Sequence, residues 1–306
     1  MSKTLKSNLF FLCAAAIWGF AFVAQCDAAD KINTFLLIFV RYILGTTVLL
    51  PLIFIFGKKS EEKNKNVKTL IYGTICGTVL FIASTLQQLG INIQPNAGKA
   101  GFITGIYTVL VPIFCFIFFR KKTGVNVIIG AVFALVGLYL LSAADGLTNI
   151  SVADIVLFIG SVFWSFHIIS IDRFVPFVNP IKLSAVQFFV CGMWGLIFTI
   201  FTSNLNFTAA VGQIQSSFMP LLYMGICSSG IAYTCQVLGQ RDADPTYSAI
   251  ILSLESVFAA IGGMLFGTDG IMSIRAFFGC VAIFIGIVVS QISLKNLFKI
   301  KNKTHS

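Results

Sequence analysis

One carboxylate stands deep inside an apolar run of this sequence: Glu255, in the stretch from about residue 245 to 267. It lies about ten residues, or ~15 Å of helix rise, from either end, which is the middle of a membrane span. A charge at that depth costs about 2.5 to 3.5 kcal/mol on insertion scales and so faces a bundle interior or a cavity. The chemistry open to it is proton titration or capture of a substrate ammonium; the structural alternative is a partner for a basic or amide side chain. Ser248, Ala259 and Gly262 share its helix face.

Arg41 lies about eight residues, or ~12 Å, into another run. It suits a substrate carboxylate or Glu255 itself; the structural alternative is snorkelling outward or capping carbonyls. Gln87 and Gln236 are amides inside runs, and Ser229, Tyr233, Gln236 and Gln240 follow 4, 3 and 4 spacing. One helix therefore carries a polar stripe, facing either a wet cavity or a hydrogen-bonding neighbour. Trp18 and Trp164 are too deep for an interfacial belt; they wall a cavity or simply pack. His167 follows Trp164 by one turn and is either a titrating group near neutrality or a hydrogen-bonded packing residue. No HExxH, GxSxG or paired aspartates occur within the runs, and His167 and His305 are the only histidines. No catalytic residue, metal ligand or cofactor is assigned, and the chain reads as a non-enzyme. The eight cysteines lie in or beside apolar runs without a CxxC pair and read as small hydrophobes.

The elements that must position these groups follow from composition. Of 306 residues 57% are hydrophobic and 10% charged, which marks an all-α integral membrane protein. Ten apolar runs are each long enough for a transmembrane helix. The first is a run from Leu9 to Ala24, followed by approximate spans at 33–56, 69–91, 98–119, 125–143, 152–171, 182–202, 217–239, 245–267 and 275–294. The net charge of +10 would suit nucleic acid, yet 17 of the 21 basic residues fall in loops on one side of a ten-span chain. That is the positive-inside pattern: both termini and the lysine-rich loop at 57 to 68 are expected in the cytoplasm, with no nucleic-acid partner.

The chain is duplicated. Ile82-Ala-Ser-Thr-Leu-Gln-Gln-Leu-Gly90 returns as Ile231-Ala-Tyr-Thr-Cys-Gln-Val-Leu-Gly239, six of nine positions identical at an offset of 149. The same offset carries Gly130 and Gly137 onto Gly279 and Gly286; an offset of 146 carries Trp18, Phe20 and Arg41 onto Trp164, Phe166 and Gln187. The first span therefore has an echo in mid-chain, which argues against a cleaved signal peptide despite Lys3 and Lys6. A period near 150 means two domain-sized modules, 1–146 and 147–306, the second ending in a short basic cytoplasmic tail. Five spans per module is an odd number, so the second enters the membrane from the opposite face. The expected architecture is a 5+5 inverted repeat, with a site near the midplane and alternating access by rocking of the halves. No loop is long enough for a soluble domain and no phosphate loop appears, so an ATP-driven pump in one chain is excluded.

Ala16-Ile-Trp-Gly-Phe20, Phe39-Val-Arg-Tyr-Ile43, Ala100-Gly-Phe-Ile-Thr104 with Val111-Pro112, and Leu254-Glu255 resemble motifs of the drug/metabolite transporter superfamily, in chains with two EamA-type domains. The resemblance implies a central cavity lined by spans 1, 3, 4, 6, 8 and 9. It also implies secondary transport of a small polar metabolite, an amino acid or related compound, across the cell membrane, with efflux the expected direction. Two positions depart from the pattern. Ser256 stands where proline often follows the glutamate, and Arg120-Lys-Lys122 where an acidic residue often ends span 4. The competing classes are an intramembrane lipid-processing enzyme, which lacks a nucleophile and base here, and a structural or sensory subunit, for which Glu255 would be a needless cost. The expected partners are a small-molecule substrate and the bilayer; the sequence is silent on oligomeric state.

Overall fold

The computed structural model describes residues 2–56, 63–121, 123–142, 150–203, 206–267 and 273–291. Loop residues 57–62, the link around Asp145 and Gly146, and the tail lysines from Lys295 lie outside the described residues. Every regular element among the described residues is helical. In chain order these are α1 (Lys3–Asp27), α2 (Thr34–Phe56), α3 (Lys63–Ile93), α4 (Ala97–Gly105), α5 (Tyr107–Phe119), α6 (Val125–Ser142) and α7 (Val152–Phe174). They continue with a short 3-10 helix (Val175–Phe177), α8 (Pro180–Thr202), α9 (Phe207–Ser216), α10 (Phe218–Leu222), a π-helical segment (Tyr223–Ala232), α11 (Tyr233–Gln240), α12 (Pro245–Leu252), α13 (Leu254–Phe266) and α14 (Ile274–Gln291). Eight helical stretches are long and apolar enough to cross a membrane, while α6 and α14 carry shorter apolar helices, Val125–Leu140 and Ile274–Ser290.

Three expected continuous spans turn out to be composite. Span 4 is interrupted at Ile106, between α4 and α5, and span 9 at Ser253, between α12 and α13. Span 8 passes through ten residues of π register between α10 and α11. Irregular backbone at membrane depth is tolerated where it is buried in protein or lines a cavity; Ser253 and, in the π segment, Ser228 and Ser229 are fully buried. The helix ends are capped by side chains. Asn96, Asn179 and Asn206 accept backbone N–H bonds at α4, α8 and α9, and Ser151 with Asp154 forms a capping box on α7. Asp244 caps α12 through the Thr246 N–H at 2.9 Å.

The two departures from the family pattern have structural counterparts. Ser256 donates its hydroxyl hydrogen to the Gly101 carbonyl at 2.7 Å, tying α13 to α4. Arg120 ends α5 in the left-handed region, φ 50°, a conformation that costs an L-residue about 1 to 2 kcal/mol; the next residue, Lys121, reaches Asp244 at 2.7 Å.

The duplicated halves interleave rather than sit side by side. α1 packs on α13, the π segment and α11; α7 packs on α3, α4 and α5; and each of the pairs α2–α8 and α6–α14 joins equivalent helices of the two halves. In the last pair a Cβ at Gly130 would lie 2.6 Å from the Gly286 oxygen, and one at Gly137 would lie 2.5 Å from the Gly279 oxygen. The rising number meets the falling one, so α6 and α14 run antiparallel. Phe39 and Phe35 against Gly195, with Ile43 against Gly192, show that α2 and α8 are antiparallel as well. Phe116, Ile128, Phe277 and Phe284 point outward and exposed, as a lipid-facing surface requires.

Candidate functional site

Several buried polar side chains meet in a small cavity of about 30 Å³, room for one or two water molecules. Arg41, Gln87, Gln236, Trp18, Trp164, Tyr233 and Glu255 all line it. These are seven of the eight residues singled out in the sequence. His167 stands behind it, edge-on to the Trp164 and Tyr233 rings at 5.8 and 5.9 Å, with Nε2 3.1 Å from the Gln187 amide oxygen. It packs as a hydrogen-bonded interior residue.

Each lining group is placed by its helix. α1 brings Trp18, Ala21, Phe22 and Gln25 to the cavity. It comes this close to α13 because position 19 is glycine: a Cβ there would overlap Phe258 Cβ at 2.2 Å and the Glu255 carbonyl at 2.7 Å. Glu255 follows the interruption at Ser253, in the first turn of α13, and Tyr107 follows the interruption at Ile106, in the first turn of α5. The two come together, the Tyr107 hydroxyl beside the Glu255 carboxyl group. Glu255 Oε1 remains without a hydrogen-bond partner.

Arg41 neither snorkels nor pairs with Glu255. The residue is 4% exposed, and its guanidinium donates to Ser229 Oγ at 3.1 Å and Ser228 Oγ at 2.9 Å, with the Tyr42 ring 5.2 Å away. The π segment is the hub of this arrangement. Besides its two serine hydroxyls, it offers the Ser228 carbonyl to Trp18 Nε1 at 3.2 Å, and its Tyr223 hydroxyl donates to the Ile17 carbonyl at 2.9 Å. π-helical turns are uncommon and concentrate at functional sites.

The repeat-equivalent amides do different work. Gln87 accepts from Trp164 Nε1 at 2.7 Å and donates to Gln25 Oε1 at 3.0 Å, and Gln25 passes its own N–H to the Ala21 carbonyl at 3.3 Å. Gln236 Oε1 has no partner. Farther along the polar stripe, Gln240 is tied to the Ile168 carbonyl at 3.0 Å. Sequence reasoning missed Gln25, Thr104, Tyr107 and Ser228 as lining residues. Gln25 had a readable signal, an amide at the end of an apolar run, whereas the other three are ordinary in membrane helices.

The two ends of the bundle differ. Call the end that carries Lys3, Lys121 and Asp244 the basic face. There Lys121 pairs with Asp244 at 2.7 Å, Lys3 with Asp242 at 3.6 Å, and the Tyr247 hydroxyl donates to Asn8 Oδ1 at 2.7 Å, each contact joining the two halves. Burial alone would lower the Lys121 pKa, but the Asp244 and Asp172 carboxylates outweigh it and hold it above the ordinary lysine value. At the far face Lys99 lies 2.8 Å from Asp154. Toward the same end a vestibule of about 730 Å³ opens between Phe20, Val23, Ala24, Cys26 and Asp27 of α1, Pro95, Met219, Pro220, Tyr223 and Phe266. α1 is the shared wall: Phe20, Val23 and Ala24 face the vestibule and Ala21 and Phe22 the cavity.

Comparison with known proteins agrees with this architecture. A protein from Archaeoglobus fulgidus, described as an uncharacterized transporter, is 26% identical over 290 residues, 94% of this chain and 86% of that one. Another of the same description, from Clostridium kluyveri, is 19% identical over 305 residues, covering 97% and 96% of the two chains. A crystal structure that shares 17% identity superposes with a TM-score of 0.74 over 93% of this chain and 96% of that one, a likeness of fold. The description EamA-like transporter family matches twice, at residues 5–143 and 151–291, once on each half of the duplication. This chain is a multi-pass helical membrane protein that belongs to the EamA-like transporter family.

Proposed function

We propose that the chain is a secondary transporter that moves a small polar metabolite, an amino acid or related compound, out of the cell by alternating access. One observation carries the reading: charged, amide and aromatic side chains from both halves converge on an interior cavity, and a larger vestibule toward the far face shares the α1 wall with it. The helices α6 and α14 are each 18 residues long, ~27 Å of rise, close to the ~30 Å of a hydrocarbon core. Counting both gives ten spans, and the antiparallel pairing of equivalent helices favours a 5+5 inverted repeat with modules 1–146 and 147–306. In such a fold the site lies at the repeat interface, and rocking of the halves opens each end in turn. In this reading the basic face, with both termini, is cytoplasmic, the vestibule opens outward, and the cytoplasmic side is the closed one.

Glu255, Arg41, Gln87, Gln236, Trp18, Trp164 and Tyr233 form the binding or coupling site in this reading, with His167 as support behind two of the rings. The test is uptake of a metabolite panel by purified protein in liposomes, set against Ala21→Trp, which fills the cavity from a wall position that is 1% exposed. A compound carried by the wild type and not by the filled variant supports the route. Equal uptake by both removes it.

A further inference from the structure

The cavity's polar groups can be sorted by what remains unmet. Both tryptophan N–H groups are used, as are the Gln25–Gln87 ladder and the two serine bonds of Arg41; the Tyr233 hydroxyl lies 3.2 Å from that of Tyr42. Three buried atoms lining the cavity have no partner: Thr104 Oγ1, Gln236 Oε1 and Glu255 Oε1. Their residues are 3%, 1% and 4% exposed. All three accept hydrogen bonds, and a buried acceptor without a donor is costly. A ligand that meets them brings several N–H or O–H donors, which a free carboxylate or phosphate group does not.

Charge decides between the remaining donors. Among the described residues no ion pair neutralises Glu255, and Arg41, a cation lining the same cavity, is turned to Ser228 and Ser229 instead, so a Glu255 carboxylate favours a cation over a neutral hydroxyl. The rings of Trp18, Tyr233, Trp164 and Tyr107 line the same space, the first two with centroids 4.6 Å apart, and aromatic faces attract cations. A space of about 30 Å³ suits a group the size of an ammonium ion. We propose that Thr104, Gln236 and Glu255 form an ammonium subsite that takes the protonated primary amine of the carried molecule, one N–H to each unmet acceptor. The proposal rests on the transport reading above and adds the chemical class of the group bound.

The experiment uses the full-length protein in lipid nanodiscs and follows thermal unfolding with three small compounds. Ethylammonium carries charge and N–H donors, tetramethylammonium carries charge without N–H, and propan-1-ol carries one O–H without charge. Ethylammonium is expected to raise the unfolding temperature and the other two to leave it unchanged. Thr104→Val and Glu255→Gln, both shape-conserving and checked for monodisperse elution, are expected to weaken the ethylammonium effect about 10- to 100-fold. An equal shift with tetramethylammonium or propan-1-ol, a shift indifferent to both variants, or no ethylammonium shift at all (acceptors met by water only) overturns the subsite. Uptake separates this from the transport route. A carried compound without an amine, blocked by Ala21→Trp, overturns the subsite and leaves the route standing, while amine uptake unaffected by that variant overturns the route.

Discussion

The α6–α14 contact and the two aromatic clusters around Phe20 and Phe166 arise from the same duplication and treat it in opposite ways. Where α6 meets α14, each glycine faces the counterpart of the other, Gly130 against Gly286 and Gly137 against Gly279, and the halves look alike. At the clusters equivalent phenylalanines have different surroundings. Phe166, toward the basic face, stacks on Phe114 at 4.8 Å and touches Phe118 and Phe163 at 6.1 and 6.2 Å. Phe20, toward the far face, reaches Phe258 and Phe266 only at 6.5 Å and borders the open vestibule. In the transport reading a self-mated contact is the same whichever end is closed, which suits it to be a pivot. An unequal pair records which end is shut. In the transport reading the two clusters exchange environments while α6 and α14 hold.

The strongest way to break this comparison is at the pivot. In Gly137→Val the new side chain would meet the Gly279 carbonyl and Ile283 at 2.5 and 2.7 Å, so the helices must part at a cost of about 1 to 3 kcal/mol or more. Loss of monodisperse protein is expected in size-exclusion chromatography. Gly212→Ala, with nothing within 4 Å, elutes normally, and equal behaviour of the two variants would remove the pivot. Next in size, Glu255→Gln is expected to lower the transport rate of a confirmed substrate about 10- to 100-fold while leaving folding intact. An unchanged rate would make Glu255 a packing partner for Tyr107.

Phe166→Ala sharpens the comparison. It removes three ring contacts worth about 0.5 to 1.5 kcal/mol each, so a single cysteine at Ala21 becomes reachable by thiol reagents from the basic face. Phe20→Ala, with looser contacts, changes that labelling less, and the reverse order would contradict the assignment of the closed end. The smallest effect belongs to Asp244→Asn. It keeps the helix cap but breaks the half-exposed pair with Lys121, worth about 0 to 1 kcal/mol. Because the Lys121 pKa is raised, the pair's contribution is full below the ordinary lysine value and is lost as pH rises through the folded one. The variant should therefore differ from wild type in Ala21 labelling at neutral pH and converge with it in strong alkali.

Much of this was legible in the sequence because the bilayer makes polarity informative. Glu255, Arg41 and the paired glutamines are rare residues within apolar runs, and a cavity is where such groups go. The duplication was readable for the same reason, since glycines at helix contacts and amides at the cavity keep their register at offsets of 149 and 146. What stayed hidden depends on backbone register and on partners far along the chain. Nothing in Tyr223–Ala232 announces a π segment, so the serine cradle of Arg41 was out of reach. The interruptions at Ile106 and Ser253 lack a proline at the break, and they are what carry Tyr107 to Glu255. His167 is a polar residue in an apolar run like the others, yet its partner Gln187 on α8 holds it outside the cavity.

Alternate opening of the two ends is tested most directly by holding the basic face shut. Lys121→Cys with Asp244→Cys, on a background with the eight native cysteines replaced, places two thiols where the ion pair now closes that face. They are bridged in proteoliposomes by a short cleavable bis-maleimide while transport of a confirmed substrate is followed. The account predicts that transport stops as the bridge forms and returns when the linker is cut; transport that continues at the unbridged rate with bridging complete would contradict it.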